Sequence, residues 1–172
     1  QVLLLDEPLS ALDPFLRIRM RSELRKLQKE LGISFIHVTH GQDEALALAD
    51  DIIVMNNAVI EQSGPTRDVF NAPKTKFVAQ FMGGHNVIAL PDGCFAIRTD
   101  AVSITEPKRG SVEGSITAIE YQGTHVSLSA RVTGDQEVMA LIPDTIFFAK
   151  PHHPGDRIGL RWDANDQHRL TA

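Results

Sequence analysis

Apolar and polar positions change rhythm near the middle of the chain. Residues 2–5, Val2-Leu3-Leu4-Leu5, form an unbroken apolar run of the kind a strand buried on both faces presents in a parallel sheet. It stops at Asp6-Glu7-Pro8, where proline cannot donate to a ladder. Asp13-Pro14 reads as an N-cap followed by the first helical residue. From there Leu16, Met20, Leu24, Leu27 and Leu31 recur at helical spacing and define one face. Arg17, Arg19, Arg21, Arg25 and Lys26 lie mostly around the other side, read as a solvated face with Glu23 and Glu30 interleaved. Gly32 suits the helix end. Residues 33–39 are β-branched and apolar and predict a second strand, with His40 directly after it. Residues 42–49 predict a short helix whose Asp43 and Glu44 favour the dipole. Residues 52–55 and 59–62 predict a hairpin about Asn56-Asn57. Two short helices follow at 66–71 and 75–81.

After Gly83-Gly84 the period shortens from helical to alternating. Ile116 and Ile119, then Val126, Leu128, Ala130 and Val132, then Ile158, Leu160 and Trp162 mark successive strands. Turn signals at Gln122-Gly123, Gly134-Asp135 and Gly155-Asp156 separate them. The fold class expected is therefore α/β with a parallel sheet, followed after a boundary near residues 82–90 by a small β-barrel or sandwich.

Composition narrows this picture only modestly. With 172 residues, 42% hydrophobic, the chain is large enough for one or two domains. The net charge of −5 speaks against a nucleic-acid binder built on phosphate contacts. A single cysteine, Cys94, rules out a disulfide framework within the chain and suits a reducing compartment. No apolar run reaches the roughly 18 residues a membrane span needs. The chain opens at Gln1, directly on a strand, and the expectation is a truncated piece of a longer subunit.

The strand–helix–strand order implies a right-handed crossover between parallel strands. Asp6-Glu7 and His40 then share the carboxyl edge of the sheet, where open α/β sheets bind ligands. Two carboxylates and an imidazole at one crevice suit metal-assisted phosphoryl transfer. An aspartate can hold Mg²⁺ through water, a glutamate can polarise the attacking water, and a histidine can contact the γ-phosphate. Taken singly, each residue has a plainer explanation as a polar strand end or an exposed histidine. His152-His153 read as loop histidines, Trp162 as barrel packing and Cys94 as a small buried or loop residue.

These blocks resemble a known family. Val2-Leu3-Leu4-Leu5-Asp6-Glu7-Pro8 resembles the Walker B strand of ABC ATPases, Ser10-Ala11-Leu12-Asp13 the D-loop, and Val38-Thr39-His40 the switch-histidine segment. Gln42-Asp43-Glu44-Ala45 and Gln62-Ser63-Gly64-Pro65 are similar to segments of importer subunits. Phe81-Met82-Gly83-Gly84-His85-Asn86 is similar to the junction before an OB-like regulatory domain. Ile97-Arg98-Thr99-Asp100 resembles a recurring Ile-Arg-Pro-Glu segment and departs from it at Thr99 and Asp100. The stretch from Asn86 to Ile97 is short for this domain, so its first strands are expected to be missing or rearranged. The version it most resembles is the polyamine-type one.

The resemblance implies a partial P-loop NTPase core, residues 1–84, and an OB-like regulatory domain, residues 85–172. It implies Asp6 on Mg²⁺ through water, Glu7 as the catalytic carboxylate, His40 as the γ-phosphate switch, and Ser10 and Asp13 at a dimer seam. The implied cofactors are ATP and Mg²⁺. The implied partners are a second ATPase subunit, transmembrane permease subunits and, indirectly, an extracytoplasmic solute-binding protein, with no nucleic acid. The implied place is the cytoplasmic face of the inner membrane, peripherally bound. The family's Gly-rich phosphate loop, Q-loop and LSGGQ signature are absent from these 172 residues, so the chain alone is expected to be inactive. Two alternatives remain: a non-enzymatic regulatory or dimerisation module from a degenerate subunit, and a soluble ABC ATPase of DNA repair or translation.

Overall fold

A computed structural model describes residues 1–171, which fall into two compact units, Gln1–Asn71 and one from Ala72 onward.

In the first unit, β1 (Val2–Asp6) leads through a turn-rich loop into α1 (Pro14–Leu31), then β2 (Ser34–Val38). β1 and β2 pair in parallel, Val2 opposite Ser34 through Asp6 opposite Val38, as a crossover through a helix requires. The Asp13 side chain caps α1, accepting from the Phe15 and Leu16 amides at 3.0 Å each. Gly32 ends the helix in the left-handed region at φ 61°, where a Cβ would be costly. α2 (Gln42–Leu48) follows, then the antiparallel pair β3 (Asp51–Asn56) and β4 (Val59–Pro65), and α3 (Thr66–Asn71). Asn57 and Ala58 both take positive φ, as a two-residue hairpin turn demands. Leu9, Ile52, Val54 and Val69 are buried.

The apolar face of α1 holds no fully buried residue, and Leu16, Leu27 and Leu31 are exposed. One expectation changes here. The arginine face was expected to be solvated. Instead Arg17, Arg21 and Arg25, one helical turn apart, reach α2. Arg17 pairs with Glu44 and Arg21 with Asp43. Arg25 donates to the Ala47 carbonyl at 3.0 Å and lies 3.7 Å from Asp50. The Arg21 guanidinium bonded to Asp43 holds that carboxyl below its ordinary pKa.

The second unit begins with α4 (Lys76–Met82), capped by Thr75. β5 (His85–Leu90) and β6 (Gly93–Arg98) form a hairpin, and a 3-10 turn leads to β7 (Ser103–Thr105). β8 (Val112–Tyr121), β9 (His125–Val132) and β10 (Gln136–Pro143) form a meander. α5 (Asp144–Ala149), β11 (Arg157–Arg161) and β12 (Gln167–Arg169) complete it. One sheet runs β10-β9-β8-β11-β7, the other β12-β6-β5. The stretch expected to be short forms the β5–β6 hairpin, His85 paired with Arg98 through Leu90 with Gly93. Ile88, Ile97, Leu128, Val138, Leu160 and Trp162 belong to one core fed by both sheets.

Side-chain amides join the two sheets. Asn86 on β5 donates to the Met139 carbonyl at 2.8 Å and accepts from its amide at 2.7 Å. Gln136 on β10 accepts from the Ala89 amide at 2.7 Å and donates to its carbonyl at 3.2 Å. Each amide imitates a peptide group and continues the ladder where backbone pairing stops.

Candidate functional site

The end of β1 is built to hold one side chain in an unusual pose. Glu7 follows the last β1 residue with φ 44°, a left-handed conformation uncommon for a residue with a Cβ. Its peptide is held on both sides. The amide donates to the Val38 carbonyl at 2.9 Å, extending the parallel ladder by one residue. The carbonyl accepts from the Ser10 amide at 3.2 Å and the Ser10 hydroxyl at 2.9 Å. This turn points the Glu7 carboxyl across the gap to β2. Its Oε1 lies 2.7 Å from His40 Nε2, with the Glu7 side chain 40% and the His40 side chain 85% exposed.

Glu7 and His40, singled out from the sequence, therefore meet directly. Asp6 stands at the same strand end, paired in register with Val38 and exposed. Ser10 braces the Glu7 turn through its hydroxyl. Asp13 spends its carboxyl on the helix cap. Both lie in the exposed loop between β1 and α1.

Sequence reasoning missed Glu44, which is buried at 4% exposure. Thr39, the residue before His40, donates its hydroxyl to Glu44 Oε2 at 2.7 Å, and the Gly41 amide, just after His40, donates to the Thr39 hydroxyl at 2.9 Å. Arg17 Nε lies 3.6 Å from Glu44 Oε1, and His37 Nε2 3.7 Å from Oε2. An acidic residue in a first helical turn is expected for the dipole alone, so nothing in the string marked this one as interior.

Residues 95–170 match the TOBE domain family. The chain is 36% identical, over 98% of its length, to the spermidine/putrescine import ATP-binding protein PotA of Acetivibrio thermocellus. It is 40% identical, over 99% of its length, to the protein of the same name from Bacillus thuringiensis strain Al Hakam. Over 81% of its length it is 42% identical to the uncharacterised ABC transporter ATP-binding protein YdcT of Escherichia coli K12. This chain is a homologue of ABC importer ATP-binding subunits and carries a TOBE domain. It spans about half the length of those relatives, 53%, 53% and 44% respectively.

The TOBE match begins within β6 and takes in the strands through β12. α4 and β5 lie outside the matched segment but pack in the same compact unit. For the homologue's implied Mg²⁺, the donor chemistry fits: Asp6 offers a hard, exposed carboxyl oxygen that enters no hydrogen bond or ion pair among the described residues. The 172 residues contain no Gly-rich loop ending in Gly-Lys-Ser/Thr. No group of three or more metal-ligating side chains occurs among the described residues, and His152-His153 stay at the surface loop beside Asp156. No described helix is long and apolar enough to cross a membrane.

Proposed function

We propose that this chain is the C-terminal part of the ATP-hydrolysing subunit of a polyamine-type ABC importer, with residues 1–84 from its nucleotide-binding domain and residues 85–172 its TOBE-type domain. The observation that carries the proposal is the 2.7 Å contact between Glu7 and His40 at the carboxyl edge of a parallel strand pair. The names of the relatives support the polyamine class. In this reading the first unit is a piece of a P-loop α/β core. Asp6 carries Mg²⁺ through water, and the bound metal neutralises phosphate charge. The Glu7 carboxyl takes a proton from the attacking water. His40 holds that carboxyl in place and answers to the γ-phosphate. Ser10 and Asp13 face a second subunit across a homodimer seam. The subunit works at the cytoplasmic face of the inner membrane with permease subunits and, through them, a solute-binding protein. The 172 residues alone bind Mg·ATP weakly or not at all.

The test is made in a full-length subunit carrying these residues. Glu7→Gln is expected to leave ATP binding intact and to remove steady-state hydrolysis, and His40→Ala to cut turnover severely. A Glu7→Gln subunit that still turns over ATP would remove Glu7 as the base. Loss of polyamine uptake in cells lacking the gene, restored by the wild type and not by Glu7→Gln, checks the substrate class.

A further inference from the structure

A carboxyl group withdrawn from water is costly unless other groups meet it. Glu44 is such a group; besides His37, whose Nε2 lies 3.7 Å away, the groups that meet it lead to the ends of the segment bearing His40 or of the loop bearing Glu7. The Thr39 hydroxyl has one proton, which goes to Glu44 at 2.7 Å, while its oxygen accepts from the Gly41 amide at 2.9 Å. The residues on either side of His40 are thus tied through one hydroxyl to one carboxyl. From the opposite direction comes Arg17. Its Nε approaches Glu44 at 3.6 Å, and its Nη2 donates to the Leu12 carbonyl at 3.1 Å. Leu12 lies in the loop that starts with Glu7 and ends at the Asp13 cap. Glu44 therefore stands between the two segments whose side chains meet at 2.7 Å.

We infer that Glu44 is a positioning residue: through Thr39 it fixes the turn that presents His40, and so keeps the His40 ring against the Glu7 carboxyl. The His40 side chain is 85% exposed, so apart from Glu7 its placement rests on its backbone. The inference rests on the proposal that Glu7 and His40 act in ATP hydrolysis. A purely structural role, as a first-turn acid that stabilises α2, is the competing account.

The two are separated by kinetics in the full-length subunit, with His40→Ala, Glu44→Ala, Glu44→Gln, Thr39→Val and the Glu44→Ala/His40→Ala pair measured together. Displacing a catalytic contact by an ångström can cost about a hundredfold. Glu44→Ala is therefore expected to lower kcat roughly ten- to a hundredfold, with KM for ATP nearly unchanged and the fold intact by circular dichroism. Glu44→Gln keeps an oxygen for Thr39 and is expected to recover part of the loss. Thr39→Val, nearly the same shape, is expected to fall with Glu44→Ala, and it carries the test if Glu44→Ala does not fold. In the His40→Ala background, Glu44→Ala is expected to add nothing further. Wild-type kcat in Thr39→Val, or a Glu44→Ala effect of equal size with and without His40, overturns the positioning role. Near-normal turnover in His40→Ala overturns the functional proposal itself, and this inference falls with it.

Discussion

Replacing Asn86 by alanine removes a junction between the two sheets of the TOBE-containing unit. Asn86 is 4% exposed, and its amide makes both a donated and an accepted bond to the Met139 peptide, at 2.8 and 2.7 Å. Each such bond contributes about 1 kcal/mol net, and orphaning the interior partners adds to the loss. The expected cost of Asn86→Ala is about 3 kcal/mol, a large share of the 5–15 kcal/mol typical of a domain. Trp162 is the sole tryptophan, is 6% exposed and belongs to the same core. Its fluorescence therefore reports on this unit rather than on the first. With a urea slope of about 1.5 kcal/mol per molar, the midpoint should fall by roughly 2 M. Asn86→Asp keeps the acceptor for the Met139 amide but sets an oxygen against the Met139 carbonyl, and it should recover little. A midpoint shift below about 0.3 M at unchanged slope would show that the amide does not join the sheets.

Three further outcomes are expected. At Gly159 a Cβ would sit 2.6 Å from the Glu106 carbonyl oxygen and 3.0 Å from the Gly110 nitrogen; both are backbone atoms with no room to yield, so Gly159→Ala should cost about 3 kcal/mol by Trp162-monitored unfolding. A cost under about 0.5 kcal/mol would mean that the strands part freely. Asp100 is held below its ordinary pKa first by its hydrogen bonds from Arg98. A depressed carboxylate stabilises above its unfolded pKa and loses that effect as pH falls through the folded one. The advantage of the wild type over Asp100→Asn, about 1 kcal/mol after solvent screening, should thus be full at neutral pH and shrink below about pH 4; an advantage constant from pH 7 to pH 3 would contradict the pairing. Titration calorimetry of the 172-residue chain with Mg·ATP should show no micromolar binding, and a clear micromolar isotherm would overturn that expectation.

Much of both units could be read from the string where the cues are local. Asp13-Pro14 and Gly32 mark the two ends of α1 through capping chemistry, and alternation locates β9 and β11. The adjacency of Glu7 and His40 followed from one topological rule about parallel crossovers. The features that escaped depend on residues far apart in sequence. Asn86 and Met139 are 53 positions apart, and no periodicity tells a bonded buried amide from an exposed one. α5, six residues long, is too short for a helical period to show. The arginine ladder is invisible because an amphipathic stripe looks alike whether it meets water or the acidic start and carbonyl end of a neighbouring helix. Glu44 hid for the same reason.

The backbone at Glu7 has a consequence for how this sequence can change. Its φ of 44° costs a residue with a Cβ about 1–2 kcal/mol, whereas glycine adopts it freely and gives back only about 0.4–1 kcal/mol through its looser unfolded chain. The exposed contact to His40 adds little to stability. Glu7→Gly should therefore fold at least as well as the wild type while lacking the carboxyl. Drift toward stability alone would replace this side chain with a hydrogen atom, so a lineage that keeps an acid here is being held to it by use, and one released from use should lose the acid first.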